Sequence, residues 1–105
     1  MAMQIGTFYN KGAHFEGVIE TRKLYDLGTV VIAPYEKSSP DSGEPDYLVW
    51  IQRFQIGRGW KQTTRDGERD YINLILDDPH MDREIRARLV QHGDKHILLW
   101  EREED

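Results

Sequence analysis

The chain contains no cysteine, no long hydrophobic run and no familiar catalytic motif, and each absence removes a class of protein. Without cysteine there is no disulfide framework, no thiolate metal site and no cysteine nucleophile. The longest mainly apolar run, residues 30–35, is far shorter than the ~20 residues that span a bilayer. Residues 1–10 lack the basic and apolar regions of a secretory signal. We therefore expect a cytoplasmic protein with no membrane partner.

Catalytic and cofactor motifs are equally scarce. No nucleophile elbow, phosphate-binding P-loop or His-Glu-x-x-His zinc motif occurs in the sequence. Metal-ligand types gather in residues 77–82, but Pro79 interrupts that run, and a hard cation needs several converging oxygens. The sequence therefore predicts no catalytic residue, no cofactor and no metal site, and we expect the protein not to be an enzyme.

The composition describes one small globular domain with an uneven charge. The 105 residues are 38% hydrophobic, with 14 basic and 19 acidic side chains and a net charge of -5. This balance excludes a wholly basic nucleic-acid binder but leaves room for a local basic patch. Residues 53–69 carry 5 basic and 2 acidic side chains, whereas the flanking segments are acidic. The middle of the chain is therefore the candidate for binding an anion.

Apolar and polar residues alternate along most of the chain, which is typical of half-buried β-strands. Glycine-containing turn signals separate the alternating runs. The pattern predicts an all-β, mainly antiparallel fold of about seven strands, with at most one short helix, arranged as a barrel or a sandwich. The predicted strands are 3–9, 14–23, 28–35, 46–55, 57–63, 69–77, 84–91 and 95–101.

Residues 1–105 are predicted to form this single domain, and four of its segments are assigned separately. The polar stretch 38–45 is expected to be a mobile loop, and residues 102–105 a frayed acidic tail. One helical turn is allowed at 79–83. The segment 84–92 is open to both helix and strand, and its alternation favours strand.

Several blocks of the sequence resemble the DUF736 family of small bacterial proteins. Residues 5–8 and 15–19 are similar to the start of that family, and 56–63, Ile-Gly-Arg-Gly-Trp-Lys-Gln-Thr, to its Ile-Gly-Ala-Ala-Trp-Lys-Lys block. Residues 69–79 are similar to its Arg-Asp-Tyr…Leu-Asp-Asp-Pro block, and 98–100 to its closing Leu-Ile-Trp. The resemblance covers roughly residues 4–102.

The chain departs from the family pattern at three places. Arg58 stands where the family has a small residue, His80-Met81 replaces a Ser-Phe pair, and the tail after Trp100 is acidic. The resemblance implies a small, mostly β protein without an assigned activity. It also implies carriage on plasmids and integrative elements of proteobacteria, and hence a role in the biology of mobile DNA.

Aromatic and basic residues are interleaved in the centre of the chain. Rings that stack bases and cations that contact phosphates are the usual components of single-stranded nucleic-acid sites. The competing interpretation is that the rings fill the core and the arginines are solvated at its rim. The nucleic-acid candidates are Arg53, Arg58, Trp60, Lys61, Arg65, Arg69 and Tyr71.

Acidic residues form a second cluster, after the sixth predicted strand and at the chain end. Such a surface can occupy the basic nucleic-acid groove of another protein, although acidic surfaces often serve solubility alone. The acidic candidates are Asp77, Asp78, Asp82, Glu84, Glu101, Glu103 and Glu104.

The sequence supports three versions of one function. We expect a non-enzymatic binding protein of a mobile genetic element that engages a macromolecular partner in DNA processing. The first alternative is an inhibitor of a host defence complex, of the anti-CRISPR or anti-restriction type. The second is a direct single-stranded nucleic-acid binder. A protein partner is favoured over nucleic acid, and the oligomeric state is left open.

Overall fold

A computed structural model describes residues 2–101 of the chain as a closed antiparallel barrel. Eight strands follow one another around the barrel in sequence order, and the last pairs with the first. They are β1 (Met3–Asn10), β2 (Phe15–Ile19), β3 (Val30–Pro34), β4 (Tyr47–Ile51), β5 (Phe54–Thr63), β6 (Asp70–Leu76), β7 (Ile85–His92) and β8 (Lys95–Trp100). The only other element in this described range is a 3-10 turn at Tyr25–Leu27.

The all-β antiparallel prediction is confirmed, and of the two architectures left open the barrel is the one observed. Eight strands form, which is close to the count of about seven and equals the number of predicted ranges. Closure of the sheet explains the barrel physically, because it leaves no strand edge without hydrogen-bond partners. Residues 85–92 form a strand, as their alternation favours. The short helical turn lies at residues 25–27 and not at 79–83.

The alternation of the strands separates an apolar interior from a mixed outer surface. Among the described residues no polar or charged side chain is buried, and the largest fully buried ones include Phe8, Ile19, Leu74 and Leu98. Four strand glycines make this packing possible. A Cβ atom on Gly17, for example, would overlap the carbonyl oxygen of Thr7. Small interior residues opposite large ones are typical of barrels of this size.

The two ends of the barrel differ in how they are closed. One end, called here the acidic end, carries the connections 20–29, 52–53 and 77–84. Leu24 is buried there, and Met81 packs against the core. The other end, called the open end, carries the connections 11–14, 35–46, 64–69 and 93–94. None of the described residues forms a helix long and apolar enough to cross a membrane.

One predicted boundary is wrong and matters for the candidate site. The predicted strand 46–55 contains a turn at residues 52–53, after which Phe54 pairs back to Ile51. The turn was missed because Gln52 takes a positive φ of 55° that glycine or asparagine normally supplies. A register shift between β4 and β5 lies near Gly57, where Val49 pairs with Gly57 and Trp50 with Gln55.

Candidate nucleic-acid interface

The outer surface of β5, β6 and β7 carries a regular array of basic and aromatic side chains. Residues that lie directly opposite each other on these antiparallel strands form two rows across the surface. One row runs Leu48, Arg58, Ile75, Arg86 from β4 to β7. The next row runs Trp60, Asn73, Arg88, Leu99 from β5 to β8. We call these eight residues, together with Tyr71 beside them, the basic face.

Two residues of the basic face are held in contact with each other and with a loop. The guanidinium carbon of Arg58 lies 5.7 Å from the ring centroid of Trp60, which is a cation–π geometry. The indole Nε1 of Trp60 donates a hydrogen bond of 3.1 Å to the carbonyl oxygen of Gly43. The aromatic ring is therefore fixed on the surface before any ligand arrives, which lowers the entropy lost on binding.

The loop that contacts Trp60 forms hydrogen bonds within itself and with β5. Glu44 accepts bonds from the backbone N–H and hydroxyl of Ser38, and these hold the pKa of Glu44 below its usual value. Asp46 accepts a 2.8 Å bond from the backbone N–H of Lys61 and a 3.0 Å bond from Lys37. These two bonds lower the pKa of Asp46. Mobility of residues 38–45 stays a prediction, but the loop has defined contacts with β5.

Arg86 and Arg88 were missed as candidates by the sequence analysis. Both lie in β7 and alternate with inward-facing Ala87 and Leu89. The basic candidates came from the cation-rich segment 53–69, whereas β7 lies in an acidic part of the sequence. Their signal was present in the alternation itself, since two arginines spaced two apart on a strand share one face, about 7 Å apart.

Arg86 and Arg88 differ in their surroundings. Arg86 donates hydrogen bonds to Glu84, the shorter of 2.9 Å, so part of its charge is compensated locally. Arg88 lies in the middle of the basic face, opposite Asn73 and Leu99. A depression of about 410 Å³ lies on this surface, lined by residues that include Trp60, Arg86, Arg88 and Glu101.

The structure divides the sequence-predicted basic set. Only Arg58, Trp60 and Tyr71 belong to the basic face. Arg53 lies in the β4–β5 turn at the acidic end, with its guanidinium carbon 5.6 Å from the ring centroid of Phe54. Lys61 follows the inward register of Gly59 at the open end, and Arg65 and Arg69 lie in the β5–β6 connection. A linear segment thus contributes to three separate places, because β5 traverses the whole barrel.

The acidic candidates that can be located share one end of the barrel. Asp77, Asp78, Asp82 and Glu84 lie in the β6–β7 connection, and Glu101 follows β8 at the same end. Asp82 forms an exposed 3.8 Å ion pair with Lys23, which joins this connection to the β2–β3 connection. Glu103 and Glu104 lie outside the described residues, as does the predicted tail 102–105.

Fold and surface together define a small closed β-barrel protein with a basic aromatic face and an acidic end. The sequence matches the family model described as protein of unknown function (DUF736) over residues 4–103. The chain therefore belongs to the DUF736 family. No curated protein and no solved structure matches it.

Proposed function

We propose that this barrel is a non-enzymatic protein that binds single-stranded nucleic acid on its basic face. The observation that carries the proposal is the register of β5, β6 and β7. It sets Arg58, Arg86 and Arg88 around Trp60 on one surface. Stacking of a base on an aromatic ring contributes about 1–3 kcal/mol, and arginines neutralise the phosphates between the stacked bases. Arginine is also suited to this role because its planar guanidinium stacks as well as pairs.

The shape of the surface favours a single strand over a duplex. The basic face is the side of a β-sheet, with side chains spaced about 7 Å along a strand and about 5 Å between strands. None of the described elements projects from the basic face, which forms the wall of the barrel on this side, as a helix that would enter a major groove. Splayed bases reach a ring such as Trp60 without the cost of opening a duplex. The chain's net charge of -5 confines the attraction to this local surface.

The biological setting that the sequence resemblance implies is compatible with this activity. We propose that the chain takes part in the processing of mobile DNA, where it binds DNA that is transiently single-stranded. We also propose a cytoplasmic location, as the sequence analysis expects.

The proposed function is tested by fluorescence anisotropy with labelled single- and double-stranded oligonucleotides over a series of salt concentrations. With about three neutralised phosphates, the logarithm of the association constant should fall with the logarithm of salt with a slope of roughly -2. R88A should weaken binding and make the slope less steep by about 0.7. R65A removes the same charge from the β5–β6 connection and should have little effect. Equal effects of the two variants would contradict the assignment to the basic face.

A second candidate function rests on the acidic end. Five located carboxylates lie in connections at this end, where Lys23 forms an ion pair with Asp82 and Arg53 lies in the β4–β5 turn. This arrangement supports docking to the basic nucleic-acid groove of another protein, including a host defence complex. Capture of a defined basic partner that is lost in D77N/D78N, but kept in R88A, would favour this function over the first.

A further inference from the structure

The open end of the barrel contains aromatic rings that the basic face does not use. Phe15 lies between two of them. Its ring centroid is 4.8 Å from that of His96 and 6.3 Å from that of Tyr47, both in edge-to-face geometry. Phe15 and Tyr47 pack on the buried core below them. The opening and the adjoining outer surface of β6–β8 together form a concave region of about 1040 Å³. A barrel of eight strands is wide enough at its mouth to hold one small ligand.

His96 has an unsatisfied hydrogen-bonding group in this opening. Its Nδ1 atom has essentially no solvent access and no hydrogen-bond partner among residues 2–101. Burial lowers the pKa of His96, so the ring is neutral near pH 7 and presents one donor and one acceptor. A buried polar atom without a partner costs free energy. A ligand edge that pairs with this ring, directly or after the ring turns about its Cβ–Cγ bond, removes that cost.

Amide side chains lie beside the rings. Gln91 is directly opposite His96 in the β7–β8 pair, and Asn10 is directly opposite Phe15 in the β1–β2 pair. The Gln91 side-chain amide donates a long 3.4 Å bond to the carbonyl oxygen of Gly93. The side-chain Oδ1 of Asn10 accepts a 2.8 Å bond from the backbone N–H of Gly12. Each amide therefore keeps unused hydrogen-bonding capacity within the described part of the chain. Amides read the edges of bases through paired donors and acceptors.

Charges at the opening are balanced, which bears on the ligand class. Lys61 and Arg69 line this region together with Glu68 and Asp70. In the described residues no carboxylate forms an ion pair with the Lys61 ammonium group. A balanced set does not favour a multiply charged anion. It suits a flat neutral ring with polar edges and one phosphate within reach of Lys61.

We propose that the open end binds a nucleobase against the rings of Phe15, Tyr47 and His96, with Gln91 and Asn10 pairing to its edge. The proposal goes beyond the basic face, because these side chains point into the barrel mouth and not onto its outer wall. The base comes either from a free mononucleotide or from a strand bound on the basic face. Leu99 borders both the depression on that face and the region at the opening, so a strand has a continuous route between them.

The test follows the His96 imidazole resonances by NMR while AMP, GMP, CMP and UMP are added. Ribose 5-phosphate serves as the ligand without a base. At least one nucleotide should shift the His96 signals at millimolar concentration or below, and ribose 5-phosphate should not. H96F should weaken that binding at least tenfold without lowering Tm, because phenylalanine keeps the ring and removes the unpartnered nitrogen. H80F, at the acidic end, is the matched control and should bind like the native protein.

Further outcomes separate the two sources of the base and the two proposals. Mononucleotide binding that R88A leaves unchanged supports a free nucleotide, whether or not oligonucleotides bind the basic face. His96 shifts caused only by an oligonucleotide, and lost in R88A, support a base of the bound strand. The proposal is overturned when neither mononucleotides nor oligonucleotides shift the His96 signals. It is also overturned when H96F binds nucleotides as well as the native protein does.

Discussion

The basic face and the acidic end are built from the same strands and carry opposite charge. β6 and β7 run from one to the other, so Asp77 of the connection lies two residues after Ile75 of the basic face, and Glu84 lies two residues before Arg86. On the wall, the alternation and register of the strands fix the spacing of each side chain. In the connection the carboxylates are grouped by a loop, with no such spacing. The wall is therefore suited to recognise a repeating ligand, and the loop to provide general repulsion or docking.

Charge reversal on the basic face should produce the largest change in oligonucleotide affinity. R58E/R88E removes two cations and places two anions beside Trp60, so oligonucleotide affinity should fall on the order of 100-fold, roughly 2.7 kcal/mol. R53E/R65E makes the same change in net charge away from the wall. Anisotropy titrations at one salt concentration should show only a few-fold loss for that control. A similar loss for both doubles would mean that overall charge, and not the basic face, governs binding.

Asp46 differs from the carboxylates of the acidic end because it bonds to β5, one of the strands of the basic face. Its bonds to the Lys61 N–H and to Lys37 lower its pKa, so the folded protein binds this proton less readily than the unfolded chain does. Its contribution to stability is therefore complete above the unfolded pKa of about 4 and is lost as the pH falls below that value. D46N should lower stability at pH 7 by about 1–2 kcal/mol.

The measurement for Asp46 is thermal unfolding of the native protein and D46N from pH 7 to pH 3. The difference in Tm between them should narrow below about pH 4, because the other carboxylates titrate alike in both. D78N is the control, since the amide oxygen that it introduces can still accept the bond that the His80 N–H donates to Asp78 Oδ1. A constant difference in Tm across the pH range would show that Asp46 acts through packing and not through its charge.

Neutralising the carboxylates of the acidic end should change oligonucleotide affinity by a smaller amount, and in the opposite direction. D77N/D78N/D82N removes three negative charges that lie near the wall and repel phosphates. Oligonucleotide affinity should rise two- to fivefold at low salt and return to the native value above about 0.3 M, where screening removes the repulsion. Anisotropy at both salt concentrations checks this. An affinity gain that persists at high salt would place these residues in direct contact with the strand.

The sequence predicts which side chains of a strand face outward, but little of how the strands assemble into the basic face. Alternation alone places Arg58 and Trp60 on one face and Ile72, Leu74 and Leu76 on the other, because a strand has only two faces. It does not reveal that Arg88 lies opposite Asn73, since register depends on turns and on contacts distant in sequence. The opening at His96 is still less accessible to sequence reasoning, because its side chains come from strands at both ends of the chain.

The turn at Gln52 was also not predictable from the alternation of the sequence. A substitution there should give the smallest change in stability of those proposed. Gln52 adopts φ 55°, and a side chain in this left-handed conformation costs roughly 1 kcal/mol. Q52G relieves that cost, but glycine also gains freedom in the unfolded chain, so the net stabilisation should be about 0.5 kcal/mol. Urea unfolding with an unchanged m-value measures it, with Q55G, inside β5, as a destabilised control. Oligonucleotide affinity should not change in Q52G, because the turn lies on neither the basic face nor the open end. A loss of stability in Q52G would mean that the glutamine side chain, and not the backbone conformation alone, holds the turn.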